Sequence, residues 1–377
     1  MRVLFVLPGL HRYDRGAEIA FISVASELAK AGDIVTLFGS GPPRPATPYR
    51  FRQVASMRRE RFESLPFMPC LRDETAYEEL TFAPSLLRHY RPRDYDITVG
   101  CSYPFVNWLL RRPAIGRRRP PHVFVTENGD WPAFESKSEY RFFGCEGLVC
   151  TNAEFFKRNR DKWRSRLIPN GVDNERFLPG PSHRDEFGLP RDRLIVLMVS
   201  ALITSKRVGA GIEAVSKIAN AHLVVAGDGP LRQTIEADAA RLLPNRFTRL
   251  SVTPDKMPAL YRSANVFLHM SMNESSSLAF LEAMACGIPV VAHESPQMRW
   301  IAGDDEYLLD TENLAAVAGL IARASDAEPD RKQRRLAKVA DFSWKKLATQ
   351  YREFFQEIVA SEACDNYTLQ HRNESIL

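Results

Sequence analysis

The sequence contains no apolar run approaching the roughly 18 residues that a membrane-spanning helix needs. Met1 to Leu7 is apolar, but Pro8 and Gly9 end the run too early for a secretory leader with its cleavage site. Six cysteines are scattered without a Cys-x-x-Cys pair, and no histidines stand beside them at zinc spacing. That argues against a disulfide framework or a structural zinc, and the expected location is cytoplasmic, with reduced thiols. No Gly-x-Gly-x-x-Gly follows the first apolar strand and no Walker sequence is present, which argues against a single dinucleotide-binding dehydrogenase and a P-loop nucleotidase. Internal repeats and low-complexity tracts are also missing.

What is present is an ordinary soluble composition, 45% hydrophobic and 26% charged, in 377 residues. That length suits two domains better than one. The net charge of +5 is uneven: residues 1–170 carry 27 Lys and Arg against 19 Asp and Glu, and the remainder carries 24 against 27. A basic first half suggests an anionic partner. No nucleic-acid-binding motif accompanies the charge, so nucleic acid is not expected.

Along the chain, short apolar runs alternate with helical periodicity. Arg2–Leu7 reads as a buried strand, Ala17–Lys30 as a helix entered at Gly16, and Ile34–Phe38 as the next strand. Residues 40–70 are rich in Pro and Arg and read as long loop. The alternation continues to about residue 170, where Pro169-Asn-Gly-Val-Asp173 makes a sharp turn. A second alternating series starts at Leu194. The pattern predicts an α/β protein of two doubly wound domains, residues 1–170 and 171–343. A helix at 344–360 and a disordered tail at 361–377 complete the expectation.

Residues 266–294 hold the most informative unit. Val266–His269 reads as a buried strand, Met270–Ser277 as loop, Leu278–Cys286 as helix, and Val290 opens another strand. Glu274 falls on the loop and Glu282 in the helix. Ligands of open α/β sheets bind beyond the carboxyl ends of strands, where helix amino termini attract phosphate. Two carboxylates flanking such a point suit a ligand with phosphate in the middle and a diol at each end, the layout of a nucleotide sugar. The plainer reading is two solvated helix-end glutamates.

The ordered motifs resemble the retaining family 4 glycosyltransferases. Glu274 and Glu282 are similar to the family's pair of glutamates separated by seven residues. Pro169-Asn-Gly-Val-Asp looks like its interdomain turn, Gly227-Asp-Gly-Pro like its glycine-rich loop, Gly16-Ala-Glu like its first helix entrance, and Lys206-Arg207 like its phosphate-binding segment. The resemblance implies the GT-B fold, two Rossmann-like domains facing across a cleft, with the helix at 344–360 crossing back to the first. It also implies transfer of a hexosyl group from a nucleoside-diphosphate sugar, without a metal or other cofactor. The acceptor would be a sugar, a lipid-linked sugar or a small molecule, in polysaccharide or glycolipid synthesis. Glu274 would hold donor-sugar hydroxyls and Glu282 the ribose. Lys206 with Arg207 would neutralise the diphosphate, the amides of Ser276, Ser277 and Leu278 would add the helix-terminus field, and Val252 would lie near the base.

Three positions depart from the family pattern. Ser200-Ala201-Leu202 stands where an arginine is common, and Ser277 where a glycine is common. Thr126-Glu127-Asn128 stands where many members carry a histidine, which makes Glu127 or Asn128 a candidate sugar contact. A nucleotide-sugar 2-epimerase and a non-catalytic sugar-nucleotide sensor are the competing readings. Finally, Tyr103, Phe105, Trp108, Leu109 and Leu110 run into Arg111-Arg112 and Arg117-Arg118-Arg119, while Arg58, Arg59 and Arg61 form a second cluster. These sequences fit either peripheral docking on anionic lipid or an ordinary core helix followed by a solvated loop.

Overall fold

The computed structural model describes residues 1–66, 68–112, 119–130, 139–272, 277–304, 306–326 and 329–374, with the side chains of Asn128, Glu139 and residues 362–374 outside that description. The chain divides into two compact units, one formed by Met1–Asn170 with the chain from Trp344 onward, the other by Gly171–Ser343.

The first unit contains β1 (Arg2–Val6), α1 (Gly16–Lys30), β2 (Ile34–Gly39), β3 (Arg50–Gln53), α2 (Glu74–His89), β4 (Ile97–Gly100), α3 (Phe105–Arg111), β5 (His122–Val125), β6 (Gly147–Cys150), α4 (Ala153–Asn159) and β7 (Ser165–Leu167). The strands form one parallel sheet in the order β3-β2-β1-β4-β5-β6-β7. Order reverses between β1 and β4, so the carboxyl ends of those strands form the switch point where such folds take ligands. The Pro- and Arg-rich stretch read as loop contributes the edge strand β3. Phe51 in it stacks on His11 with ring centroids 3.8 Å apart, which holds the strand beside β2.

The second unit contains β8 (Leu194–Val199), α5 (Val208–Ser216), β9 (Ala221–Ala226), α6 (Arg232–Leu242), β10 (Phe247–Leu250), α7 (Met257–Ser263), β11 (Val266–His269), α8 (Leu278–Ala285), β12 (Val290–His293), α9 (Pro296–Ala302), β13 (Tyr307–Leu309), α10 (Leu314–Ala324) and α11 (Pro329–Val339). Its parallel sheet has the order β10-β9-β8-β11-β12-β13, with the switch point between β8 and β11. Strand residues alternate between two cores. Ile195, Leu197 and Phe267 join one, with α7 and α8, while Val196, Met198 and Leu268 join the other, with α5 and α10. Helices thus cover both faces, which is why the strands read as unbroken apolar runs. Gly287 ends the α8 segment at a φ of +77°, a conformation that favours glycine.

The last helix, α12 (Trp344–Glu374), packs on α1 in the first unit. Phe355 lies 6.4 Å from the Phe5 ring, and a Cβ on Gly147 would come within 2.1 Å of Ile358. Residues from 361 onward, expected to form a disordered tail, instead continue α12 to Glu374. Neither Pro nor Gly occurs between Trp344 and Glu374, so nothing in the backbone stops the helix.

Candidate active site

In the second unit, the chain leaving β8 is locked by backbone bonds: Ser200 donates to the Ala226 carbonyl and Leu202 to that of Asp228. The Gly227-Asp-Gly-Pro loop fits closely against it. A Cβ on Gly227, whose φ is +154°, would lie 1.9 Å from the Ser200 carbonyl oxygen, and one on Gly229 would lie 2.7 Å from that of Leu202. These glycines are required by close backbone approach. The segment then makes one 3-10 turn, Thr204–Lys206, which leaves Lys206 half-buried beside the switch point.

Arg207 behaves differently from Lys206. It sits at a φ of +50° before α5, and its guanidinium donates to the Met270 carbonyl (3.2 Å), the Thr311 hydroxyl (2.8 Å) and the Thr311 carbonyl (3.3 Å). It therefore braces the ends of β11 and β13. Neutral protein acceptors use its donors, which makes Arg207 a structural brace first and poorly suited to hold a ligand phosphate.

Helix α8 begins at Leu278, capped by Ser277, whose hydroxyl accepts from the Phe280 amide at 3.3 Å. A serine in place of the glycine therefore supplies a cap as well as an amide. One turn further on, Glu282 accepts a 2.7 Å hydrogen bond from the Tyr261 hydroxyl on α7. Burial raises the Glu282 pKa, opposed by the Tyr261 bond and by the Arg176 charge. Glu282 is thus a positioned acceptor with one oxygen engaged by Tyr261. Val252 follows β10, packed against the α7–α8 core, and the Gly227 amide bonds the neighbouring Leu250 carbonyl. Glu274 and Ser276 lie outside the described residues.

In the first unit the carboxyl ends of the strands gather acids. Gly16 is the first residue of α1 and is exposed; a Cβ there would meet nothing within 4 Å. Two residues on, Glu18 is buried under Gly9, where a Cβ would lie 1.9 Å from its carboxylate oxygen. Arg59 reaches Glu18 (3.6 Å) and Glu78 (2.9 Å), and Arg12 reaches Glu78 (3.1 Å). Glu127 lies in the turn after β5. One of its oxygens accepts from the Asn170 side chain at 3.0 Å, and the other is buried without a hydrogen-bond partner. Burial, aided by the Glu18 charge and opposed by Asn170, pushes the Glu127 pKa up to about 7. A carboxyl balanced between charged and neutral forms can accept or donate a hydrogen bond to a sugar hydroxyl. Nearby, a cavity of about 190 Å³ is lined by Glu79, Ser102, Tyr103, Arg72 and Tyr140. Burial raises the Glu79 pKa to about 8, against the Val106 amide that bonds it.

The aromatic stretch before the arginines does not form an exposed surface. Tyr103, Val106 and Leu110 are buried, and Trp108 packs edge-on against Tyr103 and Phe105, each 5.9 Å away. Arg119 is held by Glu146 at 2.5 Å, while Arg117 and Arg118 lie outside the described residues. The apolar face of α3 is needed for the core, which overrides its resemblance to a docking helix. Among the described residues, no cluster of three His, Cys, Asp or Glu side chains could hold a metal, and no helix is long and apolar enough to cross a membrane.

Sequence reasoning missed Tyr261, Asn170 and the Arg59–Glu78 pair, all of which orient site residues. The available signal for Tyr261 is its hydroxyl directly after the apolar run Met257–Leu260, since a buried phenol needs a partner.

Two doubly wound units, each with a polar constellation at the switch point of its sheet, define the GT-B class of glycosyltransferase folds. Comparison with known proteins agrees. The family model described as Glycosyltransferase Family 4 matches residues 15–176, and that described as Glycosyl transferases group 1 matches residues 181–340. The alpha-monoglucosyldiacylglycerol synthase of Streptococcus pneumoniae is 22% identical, over 92% of this chain and 83% of its own. Among solved structures, sucrose-phosphate synthase from Thermosynechococcus elongatus superposes with a TM-score of 0.78, at 20% identity, covering 96% of this chain and 99% of that one. Anabaena HepE in complex with UDP-glucose gives 0.67 at 16% identity, covering 97% and 100%. The chain belongs to glycosyltransferase family 4, and the protein is a glycosyltransferase.

Proposed function

We propose that the enzyme transfers a hexosyl group, with retention of configuration, from a nucleoside-diphosphate sugar to a hydroxyl of a lipid-borne acceptor. The observation that carries the donor half is the switch point of the second sheet. Lys206 follows β8, the Ser277-capped amino terminus of α8 follows β11, and Glu282 is held ready by Tyr261. A cation and a helix amino terminus suit a diphosphate, and a fixed carboxylate suits a ribose diol. The HepE complex with UDP-glucose supports a nucleotide-sugar donor, and the name of the Streptococcus pneumoniae relative supports a lipid acceptor.

In this reading the diphosphate leaves with its charge held by Lys206 and the α8 amides, including those of Ser277 and Leu278. Glu274 holds the sugar hydroxyls. The acceptor oxygen attacks from the face the diphosphate leaves and passes its proton to the departing phosphate oxygen. Electrostatic stabilisation of the leaving group supplies the catalysis, as preorganised cations and amides do elsewhere. Glu127 contacts the sugar on the first unit's side.

The test is a screen of UDP-, GDP- and ADP-sugars by thermal shift. Ligand present at a hundredfold excess over Kd stabilises by about 2.7 kcal/mol. Product analysis by NMR then follows, with diacylglycerol and glycolipids as acceptors. A retained anomeric configuration in the glycolipid product is expected. Inversion, epimerised nucleotide sugar without acceptor, or no shift with any nucleotide overturns the reading.

A further inference from the structure

The second unit has a cavity that the donor reading does not use, at the end of the sheet opposite the switch point. Asn265 precedes β11, Pro289 precedes β12 and Tyr307 opens β13, and all three line a cavity of about 470 Å³. These strands are parallel, so their amino ends share one edge of the sheet. The two ends of a four-residue strand such as β11 lie about 10 Å apart. The cavity also touches Gly287, which follows α8, at the far end of that helix from the Ser277 cap. Small-molecule sites occupy about 300–1,000 Å³, so the size suits a ligand.

Three cations of α11 line this cavity: Arg331, Lys332 and Arg335. The helix carries Arg334 and Lys338 as well, against one acid, Asp330. Arg331 and Arg335 are four apart and share a face, where like charges weaken a helix unless anions meet them. Glu306 meets one: its carboxylate bonds the buried Arg335 guanidinium, which also donates to the Gly287 carbonyl at 3.2 Å. Arg331 lies over the Tyr307 ring, 4.6 Å from its centroid. The Lys332 stem packs at Gly287, where a Cβ would come within 2.7 Å of its Cε, and the residue is exposed. The cations are therefore held in place, in a geometry that suits a phosphate group. The remaining polar lining is of another kind. The Asn265 side-chain oxygen accepts from the Ile195 amide at 2.8 Å and from Arg184 at 2.6 Å, which fixes its amide group. Asp326 is an exposed carboxylate. An acid there disfavours a ligand charged along its whole length and suits one with a phosphate at one end and hydroxyls at the other.

We propose that this cavity is a second ligand site, for a phosphorylated sugar or polyol, with the phosphate on Arg331, Lys332 and Arg335 and the hydroxyls on Asn265 and Asp326. The site stands apart from the donor site and does not depend on the donor reading. The full chain is titrated calorimetrically with glycerol 3-phosphate, ribose 5-phosphate and glucose 6-phosphate, and with glucose and inorganic phosphate as comparators. At least one phosphorylated compound is expected to bind about tenfold tighter or more than either comparator, because it alone meets both sets of groups. Arg331→Glu and Lys332→Glu should each weaken that binding about tenfold or more. Lys206→Ala, at the other end of the sheet, should leave it unchanged. The bound compound should slow amide hydrogen exchange in α11 and not at the start of α8. Melting temperatures without added compound show that the variants are folded, and Arg335 is left intact because its buried pair with Glu306 belongs to the fold. Three outcomes overturn the proposal: no binding of any of the three compounds, binding no tighter than that of inorganic phosphate, or binding lost in Lys206→Ala and kept in the α11 variants. A failed nucleotide-sugar screen alongside intact binding here overturns the donor reading alone.

Discussion

The two units share a fold and differ in the electrostatics of their site ends. Residues 1–170 carry a net excess of eight positive charges, yet the carboxyl ends of that unit's strands collect Glu18, Glu78, Glu79 and Glu127, all with pKa values raised by burial. The second unit lies in the acidic part of the chain, yet its switch point offers, among the described residues, Lys206, the amino terminus of α8 and the tethered carboxylate of Glu282. Bulk charge and site charge therefore run in opposite directions within each half. The arginines of the first unit are largely surface groups, and its acids are interior ones. Function follows the placed groups, and neither the fold nor the sum of charges reveals it.

The largest expected effect breaks this contrast on the first unit's side. Glu79 titrates near 8 in the folded protein against 4.5 ordinarily, because burial disfavours its charge. The folded state therefore holds a proton that the unfolded chain has released between those values. Stability is intact below about pH 4.5 and falls by about 1.4 kcal/mol per pH unit as pH rises through the window, levelling above about 8. Glu79→Gln removes that slope while keeping an acceptor for the Val106 amide. Its melting temperature should match the parent near pH 5 and exceed it by several degrees near pH 8.5. Equal melting temperatures at both pH values would mean that Glu79 is not held neutral by burial.

Next in size are the second unit's groups. Lys206→Ala should lower donor turnover tenfold to about 200-fold, the ~1.5–3 kcal/mol of a charge-assisted bond to phosphate. Tyr261→Phe should raise the donor KM about tenfold by freeing the Glu282 carboxylate, with kcat little changed. Because Arg207 is committed to Met270 and Thr311, Arg207→Ala should act through lost stability more than through lost donor affinity. If calorimetry showed Arg207→Ala weakening nucleotide binding more than Lys206→Ala does, the roles given to the two cations would have to be exchanged.

What the sequence made legible was local. The α8 segment could be read from its helix formers and its terminating Gly287, and the two sheets from apolar runs that alternate with helical periods. What escaped were pairings set by the order of strands. Tyr261 meets Glu282 across 21 positions, Asn170 meets Glu127 across 43, and Arg59 meets Glu78 across 19. No spacing rule encodes such contacts, because loop lengths and sheet order intervene. The aromatic run at Tyr103–Leu110 left two readings open, and the structure selects the core helix. Its composition suits a lipid surface, but a short helix beside β4 and β5 must use the same residues as core.

The smallest expected effect is also the most discriminating. Gly16 opens α1 with ordinary helical geometry, and a Cβ there would touch no protein atom within 4 Å. Nothing in the fold therefore requires glycine. Gly16→Ala should stabilise the protein by about 0.4–1 kcal/mol, because alanine loses less conformational freedom on folding. If a ligand passes over the entrance of α1, the added methyl group intrudes on it instead, and KM should rise several-fold while the melting temperature climbs by a degree or two. This opposition of stability and affinity cannot arise from a merely structural glycine, whose replacement would lower both together. Were stability to rise with KM unchanged, Gly16 would be removed from the site, and the first unit's ligand contacts would reduce to its carboxylates.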